Sequence, residues 1–254
     1  MRRTAALTLV LAGALSLAGL AGAEVVQQGG MRVALGGSVK PHRLPRRRPA
    51  PVRVALAAKI SSTKADMPPQ LRRITLAINR YGHFDTRALP RCRVRDIQPS
   101  TTAKALQSCR RSLVGQGSFS ANVALGRQAP FPEAGRLYAF NGTFEGHPAI
   151  LAHVYGTDPV PTSFTLPFLI LPSRGTFGTI LRASLPEVTG DAGYVTGLSL
   201  DIGRTAGSPR YLTASCPAPK GFHGATFPLA RASFLFAGKR TVTTTLTRSC
   251  KVRH

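Results

Sequence analysis

Acidic residues are scarce in this sequence: 10 aspartates and glutamates stand against 34 lysines and arginines, and tryptophan is absent. Ten carboxylates are few for a glycosidase, which needs two of them at a set distance. Aromatic residues make up only 7% of the chain and do not interleave with basic residues, unlike the stacking surfaces that bind single-stranded nucleic acid. The net charge of +24 therefore predicts contact with anionic polymers or lipid headgroups, without specific recognition of nucleic acid.

Long apolar runs do not occur after residue 23. Before that point, Arg2 and Arg3 precede an uncharged stretch at 5–20, and small residues follow at 21–23. Basic, apolar and small-residue parts in this order are typical of a secretory signal. We therefore expect residues 1–23 to be a cleavable signal peptide. The mature chain is expected to be secreted or associated with the cell surface, with no transmembrane segment.

The motifs of common catalytic and metal sites are also absent. The sequence contains no C-x-x-C, G-x-S-x-G or H-E-x-x-H and no glycine-rich phosphate loop, so we expect neither a cofactor nor a metal. Four cysteines are an even number in a chain predicted to be exported, which favours disulfides. Three pairings are possible. We favour Cys92–Cys109 with Cys216–Cys250, because cysteines close in sequence usually pair in modular exported folds.

The composition changes along the chain. Residues 24–68 contain a stretch rich in proline and arginine at 41–51, which is typical of an extended and solvated segment. We expect 24–68 to be a disordered linker and 69–254 to form a single β-sandwich-like domain. Basic residues are concentrated in the first half, where 19 of them and 4 acidic residues lie between positions 24 and 111. The residues predicted to bind polyanions are Arg43, Arg46, Arg47, Arg48, Arg91, Arg93 and Arg95.

Apolar and polar residues alternate in many short segments of the predicted domain, which glycine and proline separate. This period of two indicates strands with one buried face. Residues 91–95 alternate in the same way, so their three arginines would share the exposed side of a strand. Thr101 and its neighbours can begin a helix over 103–111. The pattern predicts an all-β fold: an antiparallel sandwich or barrel of about nine to ten strands with one short helix.

Histidines are the candidate catalytic bases. His83 lies two residues before Asp85, a spacing that could orient its imidazole, and His153 lies in a predicted strand. No motif places a nucleophile beside either ring, so no catalytic residue is predicted. Asn141 begins an Asn-Gly-Thr sequence that matches a glycosylation acceptor, but Asn-Gly is also a tight-turn pair, which we favour here.

Two further segments carry a resemblance: HVYGT at 153–157 and SCPAPKGF at 215–222. Together with the predicted signal and the arginine-rich proline stretch, they make the chain resemble a family of exported proteins from Gram-positive bacteria of high G+C content. The resemblance implies an extracytoplasmic address and no particular mechanism. We predict a non-enzymatic β module that associates with anionic envelope polymers through its basic N-terminal part. A secreted hydrolase acting on sugar or ester bonds is the alternative.

Overall fold

The computed structural model describes residues 22–64, 67–123, 129–156, 162–185, 193–203 and 210–253. Residues 1–21, which hold nearly all of the predicted signal peptide, lie outside this description. Within the described ranges the chain forms seventeen strands and two short α-helices. The prediction of an all-β fold is confirmed, but nine to ten strands was too low a number.

The elements are β1 (Glu24–Gln28), β2 (Met31–Lys40), β3 (Arg43–Leu44), β4 (Ala50–Pro51), β5 (Arg53–Ser62), β6 (Leu71–Asn79), β7 (Gly82–Phe84), β8 (Cys92–Arg93), α1 (Val94–Ile97), α2 (Thr102–Cys109), β9 (Leu113–Val123), β10 (Phe131–Phe144), β11 (His147–Gly156), β12 (Thr162–Pro172), β13 (Phe177–Ser184), β14 (Gly193–Ile202), β15 (Leu212–Ala214), β16 (Gly224–Phe236) and β17 (Arg240–Val252).

Fourteen of these strands form one large curled sheet. Its order is β1-β2-β5-β14-β9-β10-β11-β12-β13-β6-β16-β17-β3, and β8 pairs with β10 beside this path. Consecutive strands from β9 to β13 pair as antiparallel neighbours, as their alternating sequences predict. The turn between β10 and β11 has positive φ at Glu145 and Gly146, 49° and 78°, as in the tight turns that match the twist of a hairpin.

The sheet curls until β17 approaches β2, so that it forms a half-barrel. Arg248 on β17 donates from Nε to the carbonyl oxygen of Gly37 on β2 at 2.6 Å. A Cβ atom at position 37 would lie 2.7 Å from Leu56 Cδ2 and 2.9 Å from Leu246 Cδ2. Glycine at this position therefore lets Leu56 on β5 and Leu246 on β17 pack against the backbone of β2.

The prediction of a disordered linker over 24–68 is wrong. Strands β1, β2 and β5 account for most of this segment and form one edge of the large sheet. Met31, Val33 and Leu35 alternate with more exposed residues on β2 and are buried in the main core. The physical reason is that their apolar face has a partner: burial against β5 and the remaining interior offsets the entropy lost on ordering the segment.

A small sheet of order β4-β15-β7 packs its apolar side chains into the same interior. Its middle strand joins two distant segments, because Thr213 pairs with Pro51 on one side and His83 on the other. Val52 N–H donates to the Leu212 carbonyl at 3.0 Å and extends this pairing. The proline-rich stretch at 41–51 is thus ordered by tertiary contacts at the edge of the half-barrel.

The two helices cover the outer face of β10 and β11. Ile97 and Ala105 pack there with Phe140 and Leu151 in a second, smaller core. The predicted helix at 103–111 is found as α2, with Thr101 Oγ1 accepting from the Lys104 N–H at 3.3 Å. The sequence did not indicate α1.

The alternation at 91–95 breaks after Arg93, which corrects the prediction of one strand carrying three arginines. The carboxylate of Asp96 accepts from the Arg93 N–H at 3.1 Å and from Arg93 Nε at 3.2 Å, which stabilises the start of α1. Arg95 therefore lies on a helix. All three arginines, at 91, 93 and 95, are exposed.

The favoured disulfide pairing is confirmed. Cys92 and Cys109 join β8 to the end of α2, with Cα atoms 5.7 Å apart. Cys216 and Cys250 join the segment after β15 to the end of β17, with Cα atoms 5.8 Å apart. Each bond therefore crosslinks elements that the large sheet does not hold together by itself.

Candidate polyanion-binding face and internal cavity

Three segments distant in sequence meet beside the second disulfide: 42–48, 216–223 and 250–253. None of them contains an aspartate or glutamate. Together they carry seven lysine and arginine side chains, of which six are exposed and that of Arg46 is half-buried. We call this surface the basic face, and it consists of Arg43, Arg46, Arg47, Arg48, Lys220, Lys251 and Arg253.

Backbone hydrogen bonds fix the basic face. Cys216 N–H donates to the Pro45 carbonyl at 2.9 Å, and Lys251 N–H donates to the His42 carbonyl at 2.9 Å. Arg253 N–H donates to the Leu44 carbonyl at 2.8 Å. With the Cys216–Cys250 bond, these contacts hold the three segments together, although the sequence alone predicts that the first of them lies in a disordered linker.

An aromatic side chain projects from the same surface. Phe222 is 63% exposed, the largest exposed fraction among the large apolar side chains in the described residues. It ends a turn in which its N–H donates to the Pro219 carbonyl at 3.2 Å and Gly221 has φ of 91°. Arg46 Nη2 donates to the Phe222 carbonyl at 2.7 Å, so a cation of the basic face also fixes the turn.

The second group of predicted arginines lies elsewhere. Arg91, Arg93 and Arg95 surround β8 and α1, and β8 pairs with the end of β10 through Thr143. Arg93 forms an ion pair with Asp96 at 3.2 Å. No hydrogen bond or strand pairing in the described part of the chain joins this group to the basic face. The structure therefore separates the seven predicted arginines into two groups.

Two carboxylates of the described residues form ion pairs with arginines on the strands. Asp201 on β14 accepts from Arg53 Nε and Nη2 on β5, both at 2.6 Å, in a two-pronged pair. This hydrogen bond and the charge of Asp201 raise the pKa of Arg53. Glu24 lies 4.0 Å from Arg248. These two carboxylates thus stabilise contacts between strands, and the three segments of the basic face contribute no carboxylate of their own.

A cavity lies inside the half-barrel. Its volume is about 80 Å³. Side chains from β2, β5, β6, β14 and β16 line it together with side chains from the small sheet, and none of the lining residues is charged. Leu44 and Ser215 are among them, although their neighbours Arg43 and Cys216 lie on the basic face or at its base. At Leu44 and Ser215 the cavity therefore reaches residues adjacent to the basic face.

His153 is the most deeply buried titratable group near the helices, with 0% of its surface exposed. It pairs in register with Tyr138 on β10 and Thr165 on β12. Neither ring nitrogen has a hydrogen-bond partner with good geometry among the described residues, and the same holds for the Thr165 hydroxyl. Burial lowers the pKa of His153, while the nearby backbone of Ile97 opposes this shift. The ring is therefore neutral at physiological pH.

Other residues singled out in the sequence are in ordinary structural positions. His83 is exposed on β7, and no hydrogen bond joins it to Asp85, whose Oδ1 accepts from the Arg87 N–H at 3.1 Å. Asn141 is buried in the middle of β10, which corrects the prediction of a turn and leaves no room for a glycan. Its Nδ2 donates to the carbonyls of Thr86, Leu89 and Pro90, all at 3.1 Å, and so anchors the loop before β8.

One cluster in the described residues has the residue types of a metal site: Cys92, Asp96 and Cys109. Both sulfurs belong to a disulfide, and thiolates are the form of cysteine that binds metals. Asp96 is already bonded to Arg93. This cluster is therefore part of the helical cap, the layer that α1 and α2 form over β10 and β11.

Comparison with known proteins adds no relative: no family model, curated protein or solved structure matches the chain. Among the described residues, no helix is both long and apolar enough to cross a bilayer.

Acidification should destabilise the fold through His153. Because burial disfavours the imidazolium in the folded protein, the unfolded chain takes up this proton first as the pH falls below about 6.5. The contribution of His153 to the free energy of unfolding is complete above that pH and decreases below it, by at most about 1.4 kcal/mol per pH unit. Urea unfolding between pH 7.5 and 5 measures the effect.

In this experiment His153→Leu should flatten the decrease in the free energy of unfolding. The matched control is His147→Gln, which removes an exposed histidine six residues earlier and should leave the decrease as in the wild type. An unchanged pH dependence in His153→Leu would contradict the assignment.

Proposed function

We propose that this protein is a secreted or cell-surface, non-enzymatic β module that associates with phosphate-rich anionic groups of the cell envelope through its basic face. The observation that carries the proposal is that three ordered segments in contact with one another carry seven cations and no carboxylate. Such a field raises the local concentration of anions and guides them to the surface. Arginine also binds phosphate oxygens through two parallel hydrogen bonds.

Two observations support an address outside the cytoplasm. Both pairs of cysteines form disulfides, which persist in oxidising compartments. The first strand begins at Glu24, the residue that follows the predicted cleavage site. The basic face therefore belongs to the predicted mature chain and meets the polymers and lipids of the envelope.

Phosphate groups occur both in soluble polymers and in lipid headgroups, and the exposed side chain of Phe222 should affect binding to only one of these ligands. A soluble phosphate polymer offers charge alone, whereas a lipid surface also offers an apolar layer beneath its headgroups. An exposed phenyl group beside cations suits such an interface, where aromatic rings are enriched. The basic face is expected to bind both sources, with Phe222 contributing only at the lipid.

The proposal predicts binding that weakens steeply with salt. Purified protein should bind long-chain polyphosphate and vesicles containing phosphatidylglycerol at 50 mM NaCl and lose at least tenfold in affinity at 300 mM, because surface charges are screened within about 10 Å at 0.1 M salt. Sedimentation with vesicles and fluorescence anisotropy with labelled polyphosphate measure the two affinities. Phe222→Ser should reduce binding to vesicles and leave binding to polyphosphate within twofold.

Two results would overturn the proposed function: affinity that does not change with salt, and no binding to either anion at 50 mM NaCl. If Phe222→Ser leaves both affinities unchanged, the lipid contribution is wrong and charge alone is responsible.

A further inference from the structure

We propose that the interior of the half-barrel binds one aliphatic chain of an amphiphilic molecule such as a fatty acid. The cavity lies among side chains that pack against the main core, yet several of these side chains remain partly exposed. On β14 they are Leu198 and Leu200, and on β5 they are Val54 and Leu56. Apolar surface that faces open space inside a fold is stabilised when an apolar ligand covers it.

The dimensions of the lining fit a chain. On β6 the lining runs from Ile74 to Ile78, and on β14 it runs from Leu198 to Ile202. Four residue steps along a strand cover about 13 Å. The lining thus extends along the strand direction, which matches an extended aliphatic chain. Aliphatic side chains provide most of the lining, with phenylalanines at 84, 168, 227 and 234.

Polar lining residues are found where the small sheet meets the end of β6. Asn79 is engaged there, because its Nδ2 donates to the Pro228 carbonyl at 2.7 Å and its Oδ1 accepts from the Tyr81 N–H at 3.0 Å. Tyr81, Thr213 and Ser215 are further polar lining residues at this end, and the Ser215 N–H donates to the Tyr81 carbonyl at 3.1 Å. This distribution places the polar head of the ligand at the small sheet and its chain among the long strands.

The inference does not depend on the proposed binding to anions, and the experiment separates them. Purified protein is titrated with cis-parinaric acid, whose fluorescence increases when its chain enters an apolar site, at 50 and 500 mM NaCl. Saturable binding with one equivalent is expected, and its affinity should change less than twofold between the two salt concentrations. Anion binding at the basic face would instead weaken at high salt.

Displacement by saturated fatty acids of 8 to 18 carbons then tests for a cavity of finite length. Each added methylene should increase the affinity about fourfold while it is buried. The increase should stop once the chain is longer than the cavity. This measurement uses the unchanged protein, so it does not depend on how any variant folds.

Two matched variants locate the site. Ala58 lines the cavity and pairs with Leu35 and Leu198, which also line it. Ala58→Phe should weaken parinaric acid binding at least tenfold by occupying the space. Ala55 is three residues away, on the opposite face of β5 and outside the lining, so Ala55→Phe adds the same atoms and should leave the affinity within twofold.

Several results would overturn the inference. They are no saturable binding, an affinity that falls at high salt, an affinity that does not depend on chain length, and equal loss in the two variants. None of these bears on binding of polyphosphate to the basic face, so the two proposals succeed or fail separately.

Discussion

Replacing Cys216 and Cys250 by alanine is expected to lower the free energy of unfolding by about 4 kcal/mol and to weaken polyphosphate binding at least tenfold. The stability estimate follows from the loop entropy of residues 34 apart in sequence. The loss of binding has a separate cause. Cys216 donates to the Pro45 carbonyl beside Arg46, and Cys250 immediately precedes Lys251, so the bond holds three charged segments in one place. Urea unfolding without reductant and anisotropy titration measure the two effects.

The first disulfide provides the matched control. Cys92→Ala with Cys109→Ala removes a bond between residues 17 apart, for which the same loop entropy predicts a loss of about 3 kcal/mol. This pair ties β8 to α2, away from the basic face, so polyphosphate affinity should stay within twofold of the wild type. Equal loss of affinity in both double variants would show that the second disulfide has no special part in binding.

Strands with strict alternation could be predicted from the sequence, because a face buried in a sheet imposes a period of two wherever it occurs. Ile74, Leu76 and Ile78 lie on β6 as predicted. The hairpin between β10 and β11 was also predictable, since Glu145 and Gly146 sit between two alternating runs. Local patterns of this kind do not reveal how far a sheet continues, and so the number of strands was underestimated.

The ordered state of 24–68 could not be predicted from composition. Met31, Val33 and Leu35 alternate with other residues as in a strand. The proline- and arginine-rich stretch at 41–51, however, has the composition of a disordered segment. Proline lacks an N–H but keeps its carbonyl, and Pro45 uses that carbonyl to accept from Cys216. The proline-rich stretch is thus ordered by partners about 170 residues away, and no local signal reports them.

The candidate sites also differ in whether local sequence reveals them. Arg43, Arg46, Arg47 and Arg48 could be selected from the sequence because they are close together in it. Lys220, Lys251 and Arg253 were missed, although the disulfide pairing that we favoured places two of these segments together. The cavity was not predictable at all, since it is lined by single residues from many strands, each of which has the pattern of an ordinary core position.

The exchange of three arginines should reveal which of the two arginine groups binds anions. The first triple variant changes Arg43, Arg47 and Arg48 to glutamine. It should weaken binding to phosphatidylglycerol vesicles by about 3 kcal/mol, roughly 150-fold, because each cation near such a surface contributes about 1 kcal/mol. Arg46 is kept because it also fixes the Phe222 turn. The dependence of log affinity on log salt should become shallower by about two to three, as fewer counterions are released.

The control removes the same charge from the other group. The second triple variant changes Arg91, Arg93 and Arg95 to glutamine and reduces the net charge by the same amount. One of these arginines, Arg93, is already paired with Asp96, and all three lie around α1. We expect less than fivefold loss for this variant. If both triple variants lose affinity equally, the overall charge of the protein determines binding and the basic face has no particular role. If only the second variant loses affinity, the anion site lies at the helical cap.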